Sequence, residues 1–589
     1  MQGHGNARIL AALQQQAERC TLSSRAFHND RFPLFARRIT ALMGYDKVLP
    51  MNTGAEAVET ALKVARKWAY EKKGVPANQA LVISCCGCFH GRTMAAISMS
   101  CDNDATRGFG PLLPGNLKVD FGDVDGLKRL LEEHGPRVAA FIVEPIQGEA
   151  GVVVPPEGYL RAVRQLCSQH GVLLLADEIQ TGLARTGRML ACDHEGVRPD
   201  VLGHGNARIL AALQQQAERC TLSSRAFHND RFPLFARRIT ALMGYDKVLP
   251  MNTGAEAVET ALKVARKWAY EKKGVPANQA LVISCCGCFH GRTMAAISMS
   301  CDNDATRGFG PLLPGNLKVD FGDVDGLKRL LEEHGPRVAA FIVEPIQGEA
   351  GVVVPPEGYL RAVRQLCSQH GVLLLADEIQ TGLARTGRML ACDHEGVRPD
   401  VLILGKALGG GVVPVSAVLA DDDVMGCIRP GEHGSTFGGN PLASAVAMAA
   451  LAEIEEGGLA HRAQRLGEQL QAQLKAVQAR YPELIQEVRG RGLLVAVQVA
   501  GEGLPGGVTA LDVCEAMKER GVLAKPTHNT IIRLAPPLTI SEEELGRAAA
   551  ALEAVLGEDM PRLVAQAAAA GADKKNHSKE PCDRCGRVR

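Results

Sequence analysis

The sequence has almost no excess charge of either sign. Its 66 Lys and Arg residues face 65 Asp and Glu residues, which leaves a formal net charge of +1. Proteins that bind nucleic acid or an anionic membrane surface usually show a basic excess or a basic face. The charge balance therefore gives no electrostatic reason to expect nucleic acid or a membrane as a partner, and we predict neither.

The sequence also lacks the signals of export. No apolar run is long enough to span a bilayer, and Met1-Gln2-Gly3-His4-Gly5 has no signal-peptide pattern. Its 18 cysteines have no regular spacing, which argues against a secreted disulfide scaffold. In the basic tail, His577, Cys582 and Cys585 supply only three of the four ligands of a structural zinc site, so we predict no metal. The expected compartment is the cytoplasm or the mitochondrial matrix.

The dominant feature that is present is a perfect internal repeat. Residues 3–202 and 203–402 are identical. The repeat unit is far too long for a solenoid protein, and the two copies have not diverged in sequence. Such identity is typical of a very recent tandem duplication or of an error in assembling the gene. Only the second copy continues past Leu402, into Ile403-Leu404-Gly405-Lys406.

Two polar residues end apolar runs of strand length. Val401–Leu404 leads to Gly405-Lys406, and Leu373–Ala376 leads to Asp377. A buried lysine is costly unless it has a task, and a Schiff base to an aldehyde cofactor is such a task. A carboxylate can keep the pyridine nitrogen of pyridoxal phosphate protonated. The alternative is a helix-capping aspartate and a surface lysine, but the pair in this order favours the cofactor.

Apolar strands alternate with helical patterns along the second copy. This alternation predicts an α/β fold, with a mostly parallel sheet covered by helices on both faces. Functional groups should then gather at the carboxyl ends of the strands, where Glu344, Asp377 and Lys406 lie. The predicted strands are 281–284, 339–343, 373–376, 401–404, 413–419, 494–499 and 530–534. The predicted helices are 207–221, 232–243, 324–334, 359–370, 442–456, 458–478, 510–519 and 541–556. A further helix is predicted after the Asn252-Thr253-Gly254 turn, with Val258, Ala261, Leu262, Ala265 and Trp268 on one face.

Three further segments have both a functional and a plain structural interpretation. The turn Asn252-Thr253-Gly254 opens a helix, whose N-terminus can seat a phosphate or be an ordinary cap. Phe289 and Arg292 can stack on a ring and bind a carboxylate, or be a core aromatic and a surface cation. The loop 431–441 can lend a hydroxyl to a phosphate or be a simple turn.

The sequence resembles the class III, pyridoxal-phosphate-dependent aminotransferases of fold type I, over residues 203–564 and again over 3–202. Its closest similarity is to the members that transaminate the δ-amino group of L-ornithine. The motifs that carry the resemblance are Met251-Asn252-Thr253-Gly254, Phe289-His290-Gly291-Arg292-Thr293, Val343-Glu344-Pro345-Ile346-Gln347-Gly348-Glu349, Asp377-Glu378-Ile379-Gln380-Thr381-Gly382, Leu404-Gly405-Lys406, Gly434-Ser435-Thr436, Ala524-Lys525-Pro526-Thr527-His528 and Ile532-Arg533-Leu534-Ala535-Pro536-Pro537.

The resemblance implies a role for each residue of a cofactor site. Lys406 would hold the cofactor and move the proton, Asp377 would pair with the pyridinium nitrogen, and Gln380 would touch the ring hydroxyl. Phe289 would stack on the ring, and Thr436 would reach the phosphate of the neighbouring subunit in a homodimer with a shared active site. The implied cofactor-binding set is Gly254, Ala255, Phe289, Glu344, Asp377, Gln380, Lys406 and Thr436, with Lys406 and Asp377 catalytic.

The resemblance also implies the substrate contacts and the reaction. Arg533 would hold a carboxylate of glutamate or 2-oxoglutarate, and Glu349 would cover it when ornithine is bound. Arg292 would take the second carboxylate of the oxo acid. The expected products are L-glutamate 5-semialdehyde and L-glutamate, on the route from arginine and ornithine to proline. Acetylornithine or 4-aminobutyrate transamination by the same residues is the alternative within the family.

The repeat divides the chain into four predicted parts. These are a truncated duplicate without the lysine (1–202), a cofactor-binding large domain (203–440), a C-terminal remainder with a smaller α+β domain (441–564) and a disordered tail (565–589). The family's N-terminal segment before the Gly-His stretch is missing, so an inactive, misassembled duplicate is a further alternative. Two copies of one sequence compete for the same partners, so displacement of the second copy by the first, in the sheet or at a dimer interface, is one possible outcome.

Overall fold

A computed structural model describes residues 27–203, 227–500 and 504–570, with residues 222–223 and a few isolated positions before 27. The helix predicted over 207–221 and the segment beyond residue 570 lie outside the described residues. Within these ranges, no helix is both long and apolar enough to cross a membrane.

The first copy forms a sheet of its own. It has five strands, all parallel, and each strand pairs only with others of the same copy. The strands are β1 (Leu81–Cys85), β2 (Asn116–Val119), β3 (Val138–Val143), β4 (Leu173–Asp177) and β5 (Val201–Gly203), in the spatial order β2-β1-β3-β4-β5. Displacement of the second copy within its sheet therefore does not occur.

The second copy forms a seven-stranded sheet that confirms the predicted α/β fold. One strand, β12, is antiparallel to both neighbours, and the other strands run parallel to one another. The strands are β6 (Lys247–Met251), β7 (Leu281–Cys285), β8 (Asn316–Val319), β9 (Val338–Val343), β10 (Leu373–Asp377), β11 (Val401–Leu404) and β12 (Ser416–Ala420), in the order β6-β12-β11-β10-β9-β7-β8.

Helices connect the strands of both copies. Two of them matter below and are named the first interface helix (Gly54–Trp68) and the second interface helix (Gly254–Trp268). The other α-helices of the first copy are Phe32–Met43, Met94–Ser98, Asn103–Thr106, Val124–His134 and Tyr159–Gln169. Those of the second copy up to the last strand are Phe232–Met243, Met294–Ser298, Asn303–Thr306, Val324–His334 and Tyr359–Gln369, followed by Asp422–Met425.

The C-terminal part adds a four-stranded antiparallel sheet with helices packed on it. Its strands are β13 (Ile485–Arg491), β14 (Leu494–Val499), β15 (Lys525–Thr527) and β16 (Ile531–Leu534), in the order β13-β14-β16-β15. Its helices are Leu459–Arg480, Ala510–Glu519, Glu542–Ala554 and Met560–Ala570. The helix Pro441–Glu456 instead packs against the second copy, beside Phe232–Met243. The last helix runs past residue 565, where we predicted the tail to begin.

Identical segments adopt different structures in the two copies. Lys247–Met251 is strand β6 because it pairs with β12, whereas residues 47–51 of the first copy form no strand. The first copy ends before it could supply a strand equivalent to β12. A strand needs a hydrogen-bonded neighbour, so the same residues remain irregular.

Burial differs between the copies in the same way. Phe235 is 1% exposed and Val352 is fully buried, while their twins Phe35 and Val152 are 48% and 71% exposed. Val352 packs against Ile531 of the C-terminal sheet, which has no counterpart for the first copy. The first copy thus leaves apolar surface uncovered, as its truncation predicts.

The two copies pack directly against each other. One hydrophobic cluster contains Val58 and Leu62 from the first interface helix together with Val258 and Leu262 from the second. The second interface helix is buried at every position from Glu256 to Lys267, since strands β11 and β12 cover one side and the first copy covers another. The contact between the copies is therefore part of the hydrophobic core.

Candidate functional site

The carboxyl ends of β10 and β11 bring Asp377 and Lys406 together. The two strands are parallel neighbours, and Asp377 pairs with Ile403 in their register. Lys406 follows β11 at the start of a short 3-10 turn (Lys406–Gly409), with a φ of 41°. A non-glycine residue in the left-handed region is strained, and such strain concentrates at functional sites. The strand-end arrangement predicted from the sequence is confirmed.

The amine of Lys406 lies in a cleft lined by charged groups. Lys406 as a whole is exposed rather than buried, which differs from the sequence expectation, but the surrounding protein desolvates the amine at the end of its side chain. This desolvation lowers the pKa of Lys406 to about 8, against the opposing effect of the Asp377 carboxylate. A lowered pKa supplies the neutral amine that a nucleophilic lysine needs near neutral pH.

The lowered pKa predicts how Lys406 reacts with an amine-modifying reagent. In cofactor-free protein, its modification rate should rise as the pH passes through about 8, because the neutral amine predominates above the pKa. Ordinary lysines, with a pKa near 10.4, should react appreciably only at higher pH. Rates measured on the peptide that contains Lys406, which occurs once in the chain, check this. A midpoint near that of ordinary lysines would contradict it.

A buried histidine holds the Asp377 carboxylate. The ring Nδ1 of His290 lies 2.7 Å from Asp377 Oδ2, and the backbone N–H of Ile379 donates to Oδ1 at 3.2 Å. Burial alone would lower the pKa of His290, but Cys288 and Asp377 raise it well above its usual value. The His290 ring nitrogen and the Ile379 N–H together fix the position of the Asp377 side chain. Sequence reasoning quoted His290 within a motif and gave it no role.

Glu344 extends this network towards Phe289. Its carboxylate accepts hydrogen bonds from the backbone N–H groups of Phe289 (3.0 Å) and Gly348 (3.3 Å). Burial raises the pKa of Glu344 to about 7; His290 opposes that shift and Asp377 adds to it. Glu344 therefore holds the backbone at Phe289, and with it the position of the Phe289 and His290 side chains.

Close contacts at two glycines show that Gly254 and Gln380, two further candidates for the cofactor site, lie near Asp377. A Cβ on Gly254 would lie 2.9 Å from Ile379 Cδ1, and one on Gly348 would lie 2.7 Å from the Gln380 amide nitrogen. The second interface helix therefore begins directly against the turn that follows Asp377. Its N-cap, Thr253, accepts from the Glu256 N–H and leaves the Gly254 and Ala255 amides at a helix N-terminus, a natural seat for an anion.

Glu349 forms an ion-paired group with two cations from the C-terminal sheet. Arg533 donates to Glu349 at 2.8 Å and to the Gly348 carbonyl at 2.9 Å, and Lys525 donates to Glu349 at 2.8 and 3.0 Å. Burial would raise the pKa of Glu349, but Arg533 and Lys525 outweigh it and bring the pKa to about 2. Glu349 and Arg533 also act on the Lys406 amine, so the group borders the same cleft. Lys525 was not assigned a role from the sequence.

The other candidates lie at the edge of the cleft. Phe289 is half-buried, and the exposed Arg292 guanidinium lies 5.5 Å from the centre of its ring. Thr436 is exposed on the loop 431–439, whose Ser435 accepts from the Asn252 amide at 2.6 Å. Among the residues that the structure describes, no cluster of His, Cys, Asp and Glu could hold a metal. The tail residues His577, Cys582 and Cys585 lie outside them.

Comparison with known families gives the same match twice. The profile of the family described as aminotransferase class-III matches residues 1–202 and 201–556. The two matched ranges correspond to the first copy and to the second copy with its C-terminal part.

Individual relatives agree with that match. A rice protein named mitochondrial ornithine aminotransferase is 64% identical over 388 residues, 65% of this chain and 80% of that protein. The Bacillus subtilis ornithine aminotransferase is 51% identical over 354 residues, 60% of this chain and 85% of that protein. The solved ornithine aminotransferase of Toxoplasma gondii is 49% identical, with a TM-score of 0.56 over 60% of this chain and 81% of that one.

Proposed function

The chain belongs to the class-III aminotransferase family, and from that premise we propose that it transfers the δ-amino group of L-ornithine to 2-oxoglutarate or another 2-oxo acid. The products are L-glutamate 5-semialdehyde and L-glutamate, which connects arginine and ornithine to proline metabolism. The observation that carries the choice of substrate is the Glu349–Arg533 ion pair at the edge of the Lys406 cleft.

The cofactor is pyridoxal 5'-phosphate, and the residues present fit it. Lys406 offers an amine with a lowered pKa, Asp377 a buried carboxylate, and Gly254 and Ala255 a helix N-terminus for the phosphate. When bound, the cofactor supplies an aldehyde and an electron-withdrawing ring for amino-group transfer. The chemistry of this donor set is what such a group requires.

Each residue of the cleft has a task that follows from its surroundings. Lys406 Nζ takes the proton from the substrate carbon that bears the reacting amino group and returns it in the other half of the reaction. Asp377, held by His290, keeps a proton on the pyridine nitrogen. With the cofactor bound, Phe289 would stack on its ring and Gln380 would touch its ring hydroxyl. Thr436 would reach a phosphate across the interface only where the facing copy of the fold also binds the cofactor.

The ion-paired group explains how one pocket accepts two unlike substrates. With ornithine bound, Glu349 neutralises Arg533, so no unpaired cation faces the diamino acid. With 2-oxoglutarate bound, Arg533 turns from Glu349 to the carboxylate of the oxo acid, and Arg292 takes the second carboxylate. Lys525, the second partner of Glu349, keeps that carboxylate charged while Arg533 is engaged elsewhere.

Turnover of ornithine against N-acetylornithine tests the substrate assignment. A solved acetylornithine aminotransferase of Elizabethkingia anophelis is 47% identical with a TM-score of 0.52, so transamination of acetylornithine is the second candidate. We expect a higher kcat/KM for ornithine. A preference for N-acetylornithine or 4-aminobutyrate would overturn the assignment and leave the family unaffected.

The first copy should bind no cofactor, so the full chain should carry at most one pyridoxal phosphate. The copy repeats the candidate residues Gly54, Phe89, Arg92, Glu144, Glu149, Asp177 and Gln180. Its sheet ends with β5 at Gly203, which pairs with Asp177, and no equivalent of Lys406 follows. Glu149 is exposed, since the copy also lacks the strands that carry Lys525 and Arg533. Cofactor released by alkali and measured by absorbance gives the stoichiometry; two per chain would defeat the prediction.

The reaction is placed in the mitochondrial matrix or the cytoplasm. The rice and Arabidopsis thaliana relatives are both named as mitochondrial proteins. The proposed partners are the amino acid and 2-oxo acid substrates, together with a second copy of the fold packed against the copy that carries Lys406. Targeting of a tagged full-length protein in its own cells checks the compartment.

A further inference from the structure

The contacts between the copies come in reciprocal pairs. The Met294 N–H donates to Glu59 at 2.9 Å, and the Met94 N–H donates to Glu259 at 2.9 Å. Lys63 donates to the Arg292 carbonyl at 3.0 Å, and its twin Lys263 donates to the Arg92 carbonyl at 3.2 Å. When residue i contacts residue j and the twin of j contacts the twin of i, the interface has two-fold symmetry.

The reciprocity continues along the whole contact. Arg66 donates to the Pro311 carbonyl at 2.9 Å, and Arg266 donates to the Pro111 carbonyl at 3.0 Å. A Cβ on either Gly110 or Gly310 would overlap the Asn278 or Asn78 side chain of the other copy, so each copy fits closely against the other. A surface that is complementary to itself is the surface with which two identical molecules form a symmetric dimer.

We propose that the first copy is a built-in partner: it occupies the surface on which a second molecule would dock, so the chain is a one-site pseudo-dimer within a single polypeptide. The first copy also contacts a segment that belongs to the site around Lys406. Glu59 and Lys63 bind the backbone of residues 292–294, directly after Phe289 and His290. They are positioning residues, since they hold the segment that carries the ring-stacking and Asp377-binding side chains.

Because the first copy is truncated, the two halves of this pseudo-dimer do not make the same contacts. The loop 431–439 of the second copy reaches the first copy, where Arg92 donates to the Glu432 carbonyl at 3.0 Å. The first copy ends before any equivalent loop, and in the described part of the chain the Arg292 guanidinium lies over only the Phe289 ring. Arg292 is therefore open to a substrate carboxylate, whereas its twin is occupied in the half that has no lysine.

The mass of the full chain in solution tests the built-in partner. Light scattering during size exclusion should give 62.7 kDa over a wide range of concentration, because the self-complementary surface is already filled within the chain. A stable dimer of twice this mass would overturn the proposal, since the surface would then be open to a second molecule or exchanged with one.

Twin substitutions test the positioning role, and the repeat supplies the control. The peptides that span residues 92–94 and 292–294 are identical, so mass spectrometry cannot tell from which copy such a peptide comes. A substitution made in one copy does distinguish the roles of the two copies. Glu59→Ala should weaken binding of pyridoxal 5'-phosphate about tenfold, the effect of leaving one buried donor without an acceptor. Glu259→Ala removes the matching bond to Met94 in the half without Lys406, together with the like charge that faces Glu59, so it should not weaken that affinity by more than about twofold.

The two variants should lower the midpoint of thermal unfolding to a similar extent, because each removes one bond to a backbone N–H in the same interface. Glu59→Gln keeps an acceptor oxygen and should restore most of the affinity, which serves if the alanine variant folds poorly. Equal loss of cofactor affinity in Glu59→Ala and Glu259→Ala, or no loss in either, would overturn the positioning role. These readouts are mass and cofactor affinity, so they are independent of whether ornithine is the substrate.

Discussion

Lys406→Ala is expected to lower the rate of transamination by at least about 10³-fold, because one amine both holds the cofactor and moves the proton. The position makes the amine suited to both tasks. Strand β11 delivers it to the edge of the sheet beside Asp377, and desolvation lowers its pKa to about 8. Steady-state turnover with saturating ornithine and oxo acid measures the loss.

Lys406→Arg is the matched control for charge. Arginine keeps a cation in the cleft but stays protonated at any pH where the protein is folded, so it can act neither as a nucleophile nor as a base. It should be as inactive as the alanine variant. Substantial turnover by the arginine variant would show that Lys406 contributes only its charge, and the proposed mechanism would be wrong.

Asp377→Asn should retain the cofactor but lower turnover about a hundredfold or more. The asparagine amide has the shape of the carboxylate but cannot keep a proton on the pyridine nitrogen. Removing one preorganised electrostatic contact with a reacting group costs about 2.7–4 kcal/mol in the transition state, and each 1.36 kcal/mol is a factor of ten in rate. The amide oxygen of the asparagine can still accept a hydrogen bond from His290 Nδ1, so the local structure should persist.

Asp177→Asn is the control that the duplication provides. Asp177 accepts from His90 at 2.7 Å, the same geometry as the Asp377–His290 pair, but no lysine follows in that half. The substitution should disturb the local structure equally and leave turnover unchanged. Near-parental turnover by Asp377→Asn, or equal loss in both variants, would contradict the assigned role of Asp377.

The sequence alone indicated the parts of the site that depend on short stretches of chain. Apolar runs that end in Asp377 and Lys406 predicted strand ends, and the register of β10 and β11 confirms that these ends are neighbours. The helix that begins at Gly254 was also visible locally, from its Asn-Thr-Gly turn and its apolar spacing. These features follow from side-chain periodicity and capping, which do not depend on distant residues.

Contacts between distant segments could not be predicted in this way. His290 and Lys525 acquire their roles from Asp377 and Glu349, each far away in the chain. The repeat shows the limit most directly, since residues 47–51 and Lys247–Met251 have one sequence and two structures. Here the presence or absence of β12 decides the outcome, and no local pattern contains that information.

Reductive trapping tests the central claim, that one site built around Lys406 carries the cofactor. The full-length protein is loaded with pyridoxal 5'-phosphate, reduced with borohydride, digested and mapped. The peptide that contains Lys406 is unique to the second copy, so a label there is unambiguous. The account predicts a label on Lys406 alone, at no more than one per chain. A label on another lysine, or an unlabelled Lys406 in protein that retains the cofactor, would contradict it.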